Sequence, residues 1–304
     1  MRVIILGYQN RPGVPETVQA LRPTIENHAR IVLEDLTGKV DLSCVEADIA
    51  LVFGGDGSIL RAVQQMGKHQ IPLLAVNLGR LGFLAELSRD DDLIAVLEKL
   101  TALERAQGPK WLESLRKNTF SAHGESLGGF SISRHRLLNC TVRKDVGMPS
   151  EMEISSLVMN ETAIQSAEFH IIELRIWADE ECVTTCRCDG IILATPIGST
   201  AHNLSVGGPI LRPGLDAVVI SPIAPHTLTF RPIVDSSLRK YRFNLTSERT
   251  KTAVVVDGNQ IAEITLADQV EITPSPIEFE MLNVPGFSYY LKLQKKLGWG
   301  GHLG

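Results

Sequence analysis

Apolar residues fall into two kinds of pattern along this chain, and the pattern changes once. Over the first hundred residues, short continuous apolar runs alternate with helical spacings. Val3–Leu6 runs into Gly7 and predicts a buried strand. Between Pro15 and Ala29, the residues Val18, Leu21, Ile25 and Ala29 recur three and four apart, which predicts a helix with one apolar face. Asp48–Phe53 predicts a second strand that stops at Gly54-Gly55, Ile59–Met66 a helix, and Ile71–Val76 a third strand. From Asp91 to Leu103, Leu93, Val96, Leu97 and Leu100 share one side of an amphipathic helix. Strands that alternate with helices imply a parallel sheet with crossover connections.

The pattern changes near residue 118. Asn118–Phe130 is polar and contains glycine, with a loop expected at Ser121–Gly129. Strand-like runs then follow one another: Leu137–Val142, Ile154–Asn160, Ala163–Ser166, Ile171–Ala178, Glu181–Cys186, Ile191–Ala194, Ala217–Pro222, Lys240–Leu245, Ala253–Asp257, Ile261–Thr265 and Gln269–Thr273. Polar breaks punctuate them too closely for helices, so the second part is expected to be all-β, a sandwich or a folded sheet. Tyr289–Leu297 has the residue types of a short basic helix. The expected architecture is therefore an N-terminal Rossmann-like α/β domain over 1–118 and a C-terminal β-sandwich-type domain over 119–287. The helix in 288–304 is expected to pack back on the first domain.

Composition narrows the class. The chain has 304 residues, 44% hydrophobic and 21% charged, which suits a folded globular protein of about two domains. Aromatics are 5% and the net charge is −5, so no nucleic-acid partner is expected. The N-terminal apolar run is too short for a signal-peptide core, and no stretch approaches a membrane span of about 20 apolar residues. The five cysteines are sparse and odd in number, which suits reduced thiols in a cytoplasm. Cys182, Cys186 and Cys188 do not have a zinc spacing, and the last two alternate with Arg187 as strand residues do.

The candidate chemistry lies at glycine-rich strand ends. Phe53-Gly54-Gly55-Asp56-Gly57-Ser58 carries a strand into a helix through a turn where a phosphate can approach backbone N–H groups. It is neither a Walker A loop nor a dinucleotide fingerprint. Asp56 either caps the helix or serves as a base toward a hydroxyl nucleophile beside Mg²⁺. Asn77-Leu78-Gly79-Arg80-Leu81-Gly82-Phe83-Leu84 follows the third strand, a place for a ligand-facing or a purely structural loop. Asp189-Gly190 through Thr195-Pro196-Ile197-Gly198-Ser199-Thr200-Ala201 brackets a strand with hydroxyls and glycines suited to a sugar, a base edge or a phosphate.

These segments appear in one order with Asn160-Glu161, Ser205-Val206-Gly207-Gly208-Pro209, Pro225-His226-Thr227-Leu228, Arg231-Pro232, Asp257-Gly258 and Lys296-Leu297-Gly298-Trp299. Over roughly residues 50 to 300 the chain resembles the bacterial NAD kinases. Gly-Gly-Asp-Gly alone also occurs in lipid kinases and phosphofructokinases; the Asp189–Ala201 string is far more specific. The resemblance implies transfer of the γ-phosphate of ATP, or of polyphosphate, to the 2′-hydroxyl of the NAD adenosine ribose. It implies a divalent metal such as Mg²⁺ and a homodimer or homotetramer.

The resemblance also implies roles. Asp56 matches the proton acceptor. Gly54, Gly55 and Gly57 line the phosphate-donor turn, and Asp56 and Gly57 share the dinucleotide site. Arg61, one helical turn on, faces substrate phosphate or is a solvated helix residue. Asn160 and Glu161 match a pair that holds adenine and ribose. His170, Arg187 and Asp189 match positions near NAD; a histidine there is otherwise a half-buried strand residue. Thr200, Ala201, His202, Asn203, Leu204 and Ser205 match the segment around adenine, with His202 where the family usually has tyrosine. Ala224 matches a backbone position near the dinucleotide. Asn259 or its neighbour Gln260 is the amide that faces it, since the family often has glutamine after Asp-Gly.

Overall fold

In the computed structural model of the protein, the described residues are 1–79, 82–85, 87, 90–117, 129–168, 170–227, 229–247, 250–286 and 288–299, with backbone alone at 90 and 91. The expected boundary at 118 and most of the expected loop at 121–129 lie outside them, as do Arg80, Leu81 and Leu228 of the motifs. The chain forms two compact units. One is Met1–Arg134 with Phe279–Gly304, the other His135–Glu278.

The first unit is built on β1 (Arg2–Leu6), α1 (Val14–His28), β2 (Arg30–Asp35), β3 (Ile49–Phe53), α2 (Asp56–Met66), β4 (Leu73–Val76), α3 (Asp90–Gln107) and α4 (Trp111–Lys117). Its strands are parallel in the order β2-β1-β3-β4, and Met281 near the end of the chain adds beside Leu73 of β4. Every residue of β3 and β4 is buried. Strands covered on both faces read as unbroken apolar runs, which is why they were visible in the sequence. α1 buries Val14, Val18, Leu21 and Ile25, one stripe of a helix that starts after Gly13 with proline in its first turn. α2 begins three residues before the expected Ile59, with Gly55 as its N-cap and Asp56 in its first turn.

Two elements of this unit were not expected. The edge strand β2 shows one face to solvent and carries charge at Arg30, Glu34 and Asp35, so it lacks the apolar run of its neighbours. α4 has seven residues, too few to show a period, and is anchored by buried Trp111 and Leu115. Arg116 of α4 donates from Nε and Nη2 to the Glu280 carboxylate at 2.8–3.0 Å, and Arg134 adds a further bond at 3.1 Å.

The second unit contains β5 (Ser131–Lys144), β6 (Met152–Val158), β7 (Glu161–Ser166), β8 (Ile172–Ala178), β9 (Glu181–Cys188), β10 (Gly190–Ala194), the single turn α5 (His202–Ser205), β11 (Ala217–Ile223), β12 (Ile233–Ser236), β13 (Tyr241–Leu245), β14 (Thr252–Val256), β15 (Asn259–Ile264) and β16 (Gln269–Asn283). Strands β5 and β16 also give residues to the first unit. One antiparallel sheet runs β12-β11-β10-β7-β14-β15. The other runs β16-β13-β8-β9, with β5 pairing both β16 and β6. Ile164, Ile191, Leu193, Val218, Ile220 and Val254 of the first sheet share one core with Leu174, Ile176, Tyr241, Phe243 and Ile272 of the second. Two sheets over one core make the expected sandwich. Strand β12 was not expected; it is a four-residue edge strand with Ile233 and Val234 exposed. Cys186 and Cys188 are buried side by side in β9. The C-terminal helix is α6 (Tyr289–Leu297), capped by the Ser288 hydroxyl and closed at Gly298.

Leu51 stands fully buried in the middle of the parallel sheet. Leu51→Ala is expected to cost about 2–5 kcal/mol, whereas Val32→Ala on the exposed edge strand stays within roughly 0.5 kcal/mol. Urea unfolding measures both; a loss below about 1 kcal/mol for Leu51→Ala contradicts its place at the centre of the core.

Candidate active site

The glycine turn of the first unit forms where β3 stops. Gly54 has φ +140 and donates its N–H to the Val76 carbonyl at 2.9 Å; a side chain there would collide with Ser58. Two residues on, the Asp56 carboxylate reaches the segment after β4. It accepts the N–H of Phe83 at 2.8 Å and of Leu84 at 3.1 Å. The approach is so close that a Cβ on Gly82 would overlap the carboxylate. The turn at 54–57 and the second glycine segment are thus one construction, and the second glycine segment supplies the grip on Asp56. Gly57 is exposed beside it.

Arg61 lies on the solvent side of α2, where its guanidinium stacks over the Tyr8 ring at 4.0 Å. Hydrogen bonds from Arg61 and Asn10, with the Arg61 charge, hold the Tyr8 phenol below its ordinary pKa. The loop after β1 also brings in Arg11, which the sequence reading missed. A methyl at Gly55 would stand 3.3 Å from both of its terminal nitrogens, and one at Gly79 3.4 Å from the nearer. The signal was its place after the first parallel strand, on the sheet edge where open α/β folds bind ligands.

In the second unit the centre of organisation is Asp257, expected as the last residue of a strand over Ala253–Asp257 and found just beyond β14, which ends at Val256. Asp257 (φ +50) and Gly258 (φ +82) make the two-residue hairpin between β14 and β15. The Asp257 carboxylate accepts the N–H groups of Met159 at 2.9 Å, Asn160 at 2.7 Å and Glu161 at 3.1 Å. This fixes the Asn160-Glu161 turn between β6 and β7. Thr195 adds a second grip, with Oγ1 donating to the Met159 carbonyl at 2.6 Å and its N–H to the Asn160 carbonyl at 2.8 Å. Gly198 rests against the Asn160 backbone with no room for a side chain. Burial, then the Asp257 charge, push the buried Glu161 up to about 7, against the opposing pull of the His202 N–H. Asn160, Glu161 and His202 therefore meet, and Asn259 starts β15 two residues after Asp257 with its side chain exposed, as is that of Gln260.

The segment after β10 is mixed. Asn203 is fully buried; its amide donates to Ser199 and Pro209 carbonyls at 3.1 Å and accepts from Ser221 at 2.7 Å. It holds the loop together, while His202 and Ser205 on the same turn are exposed and Thr200, Ala201 and Leu204 are half-buried. The remaining candidates gather elsewhere. Arg187 is exposed with Nε 3.7 Å from Glu173, and its carbonyl accepts from His226. Asp189 is exposed and bonded through its backbone to Ser166 and Ile223, next to Ala224 with φ +43. His170 is exposed before β8 begins, not half-buried within a strand. In the antiparallel pair of β7 and β10, Glu161 faces Ala194 and Gln165 faces Gly190. Asn160, Glu161 and 200–205 thus lie at one end of the pair and Asp189 at the other, about 13 Å away along four residues of strand.

Between the ordinary 4.5 and about 7, folded Glu161 binds its proton more tightly than the unfolded chain. Its contribution to stability is full below pH 4.5 and is lost as pH rises through 7. Glu161→Gln is expected to remove that loss and to melt above the wild-type protein at pH 8. Melting curves from pH 5 to 8 check this; parallel curves for the two proteins contradict it.

The same segments match known proteins. Residues 17–105 match the ATP-NAD kinase N-terminal domain and residues 159–284 the ATP-NAD kinase C-terminal domain. The chain is 42% identical to an NAD kinase of Rhodopirellula baltica over 99% of its length and 88% of the relative's. It is 36% identical to an NAD kinase of Cellvibrio japonicus, covering 84% and 76%. An NAD kinase from Archaeoglobus fulgidus, solved with ATP, superposes with a TM-score of 0.67 at 25% identity, covering 98% of both chains. Yeast NADH kinase, solved with NADH, shares the fold at a TM-score of 0.79 and 20% identity, covering 100% and 89%. Expected from the order of its motifs and matched over both halves, this chain belongs to the NAD kinase family, the transferases that phosphorylate NAD.

Proposed function

We propose that the protein transfers the γ-phosphate of ATP to the 2′-hydroxyl of the NAD adenosine ribose, with Asp56 as general base. The observation that carries this reading is the Asp56 carboxylate itself. It sits in the first turn of α2 inside a glycine turn, aimed by the N–H groups of Phe83 and Leu84. A carboxylate oxygen that accepts one N–H still has a lone pair free to accept a proton. As the 2′-oxygen attacks the γ-phosphorus, its proton passes to Asp56, the bond from the γ-phosphorus to the bridging oxygen breaks, and ADP leaves with the electron pair.

The N-terminal unit, expected over 1–118, supplies the donor turn through Gly54, Gly55 and Gly57. The C-terminal unit, expected over 119–287, supplies the dinucleotide contacts. Asn160 serves an adenine edge and Glu161 the ribose hydroxyls, from a turn that Asp257 holds rigid. Thr200, Ala201, His202, Leu204 and Ser205 flank the adenine, and Asn203 keeps that segment in shape. His170, Arg187, Asp189, Ala224 and Asn259 contact the rest of the dinucleotide, and Arg61 faces a phosphate from its place on Tyr8. Polyphosphate is a second donor for the same turn.

Mg²⁺ fits as a phosphate-bound ion. Among the described residues no three His, Cys, Asp or Glu side chains gather, so donor phosphates and water would hold it with Asp56 as the nearby carboxylate. When bound it would neutralise charge on the phosphates. Among the described residues no helix is long and apolar enough to cross a membrane. The five free cysteines suit a reducing cytoplasm. Exposed Leu215, Ile233, Val234 and Leu238 beside and along edge strand β12 suit self-association into a dimer or tetramer.

Asp56→Asn keeps the shape of the side chain and removes the base. Turnover in a coupled assay for NADP is expected to fall roughly 10²–10⁴-fold, with the NAD dissociation constant within about threefold of wild type. Wild-type turnover in Asp56→Asn overturns the assignment.

A further inference from the structure

We propose that Arg11 is a donor-phosphate-binding residue, laying its guanidinium over the glycine turn to pair with the polyphosphate of ATP; this rests on the reading of that turn as the donor site. Three observations carry it. The first is contact. Both terminal nitrogens of Arg11 lie 3.3 Å from where a Gly55 methyl would be and one lies 3.4 Å from that of Gly79, so the fork spans the ends of β3 and β4. Alanine at either glycine would press on the guanidinium, so the two turns leave the space it uses.

The second is its lack of a protein acceptor. Arg11 is only half-exposed, yet among the described residues its guanidinium has no hydrogen bond or ion pair. The carboxylate closest in sequence to this turn, Asp56, is bonded to Phe83 and Leu84 instead. A partly buried guanidinium with five donors and no acceptor is complementary to an anion with several oxygens.

The third is preparation. The Arg11 N–H donates to the Tyr8 carbonyl at 2.9 Å, and the Arg11 carbonyl accepts from Val14 at 3.2 Å. Tyr8 is itself pinned by Arg61 and Asn10. The loop is therefore folded before the donor arrives, which lowers the ordering cost of binding. The cation also stands over the first turn of an eleven-residue helix, whose dipole favours the same anion.

The test uses the full chain with Arg11→Ala and Arg11→Lys. For Arg11→Ala the KM for ATP is expected to rise roughly 10- to 100-fold, with the KM for NAD within about twofold. Arg11→Lys, which keeps the charge without the fork, is expected to recover part of the loss. Inorganic tripolyphosphate, titrated calorimetrically into wild type and Arg11→Ala without turnover, is expected to lose affinity by a similar factor. Unchanged tripolyphosphate affinity in Arg11→Ala overturns the proposal. So does an equal rise in both KM values with a lowered melting temperature, because that is a structural role. The calorimetry reads Arg11 even if the wild-type protein fails to phosphorylate NAD, so the two readings can fail separately.

Discussion

Carboxylates that accept backbone N–H groups from another segment are the interaction on which the loops of this protein depend. Asp56 takes the amides of Phe83 and Leu84, and Asp257 takes those of Met159, Asn160 and Glu161. Asp35 clamps its own following turn, accepting the N–H groups of Thr37, Gly38, Lys39 and Val40 after β2; despite burial, the Thr37 hydroxyl, the Val40 and Thr37 N–H groups and the Gln65 amide hold its carboxyl well below the usual range. A loop has no ladder to satisfy its N–H groups, and a charged acceptor satisfies several at once. Each clamp turns a flexible connection into a fixed shape without a secondary-structure element of its own.

The clamps occur where they are needed because the strands are short and buried. β3, β4 and β10 have no exposed residue from end to end, so no functional side chain can project from within them. The candidate residues stand instead just beyond each strand: Gly54–Gly57 after β3, Asn77–Gly79 and Gly82–Leu84 after β4, Thr195–Ser205 after β10. Glycine follows for steric reasons at two of these places. Gly82 admits the Asp56 carboxylate, and Gly198 admits the Asn160 backbone. The same arrangement puts Arg11 over the glycine turn, since the loop after β1 leaves the carboxyl end of the same sheet.

Legibility in the sequence tracked burial. Strands buried on both faces appeared as apolar runs, and α1 and α3 as stripes. The edge strands β2 and β12 and the seven-residue α4 did not, because half-solvated or very short elements carry no period. Among the candidate residues, Asp56, Asn160 and Glu161 were singled out through motif order. Arg11 was not singled out as a candidate, because one arginine in a polar loop has no local signature beyond its place after the first parallel strand. Asn203 matched the motif yet holds the loop with its buried amide, a distinction that adjacent letters do not carry. His170, expected near the dinucleotide or else half-buried in a strand, is exposed, because β8 starts two residues after it.

By itself the sequence determined the succession of the buried strands and longer helices, the split into an α/β and an all-β half, and the family, since these depend on local pattern and on the order of motifs. Tertiary structure alone decided which groups meet. It brought Phe83 and Leu84 to Asp56 across twenty-seven and twenty-eight positions, and Asp257 to Asn160 across ninety-seven. It put Glu161 and Asp189 at opposite ends of one strand pair. Hydrogen-bond partners of this kind are chosen by where strands end in space, and the ends are set by packing of the whole sheet, not by the residues on either side.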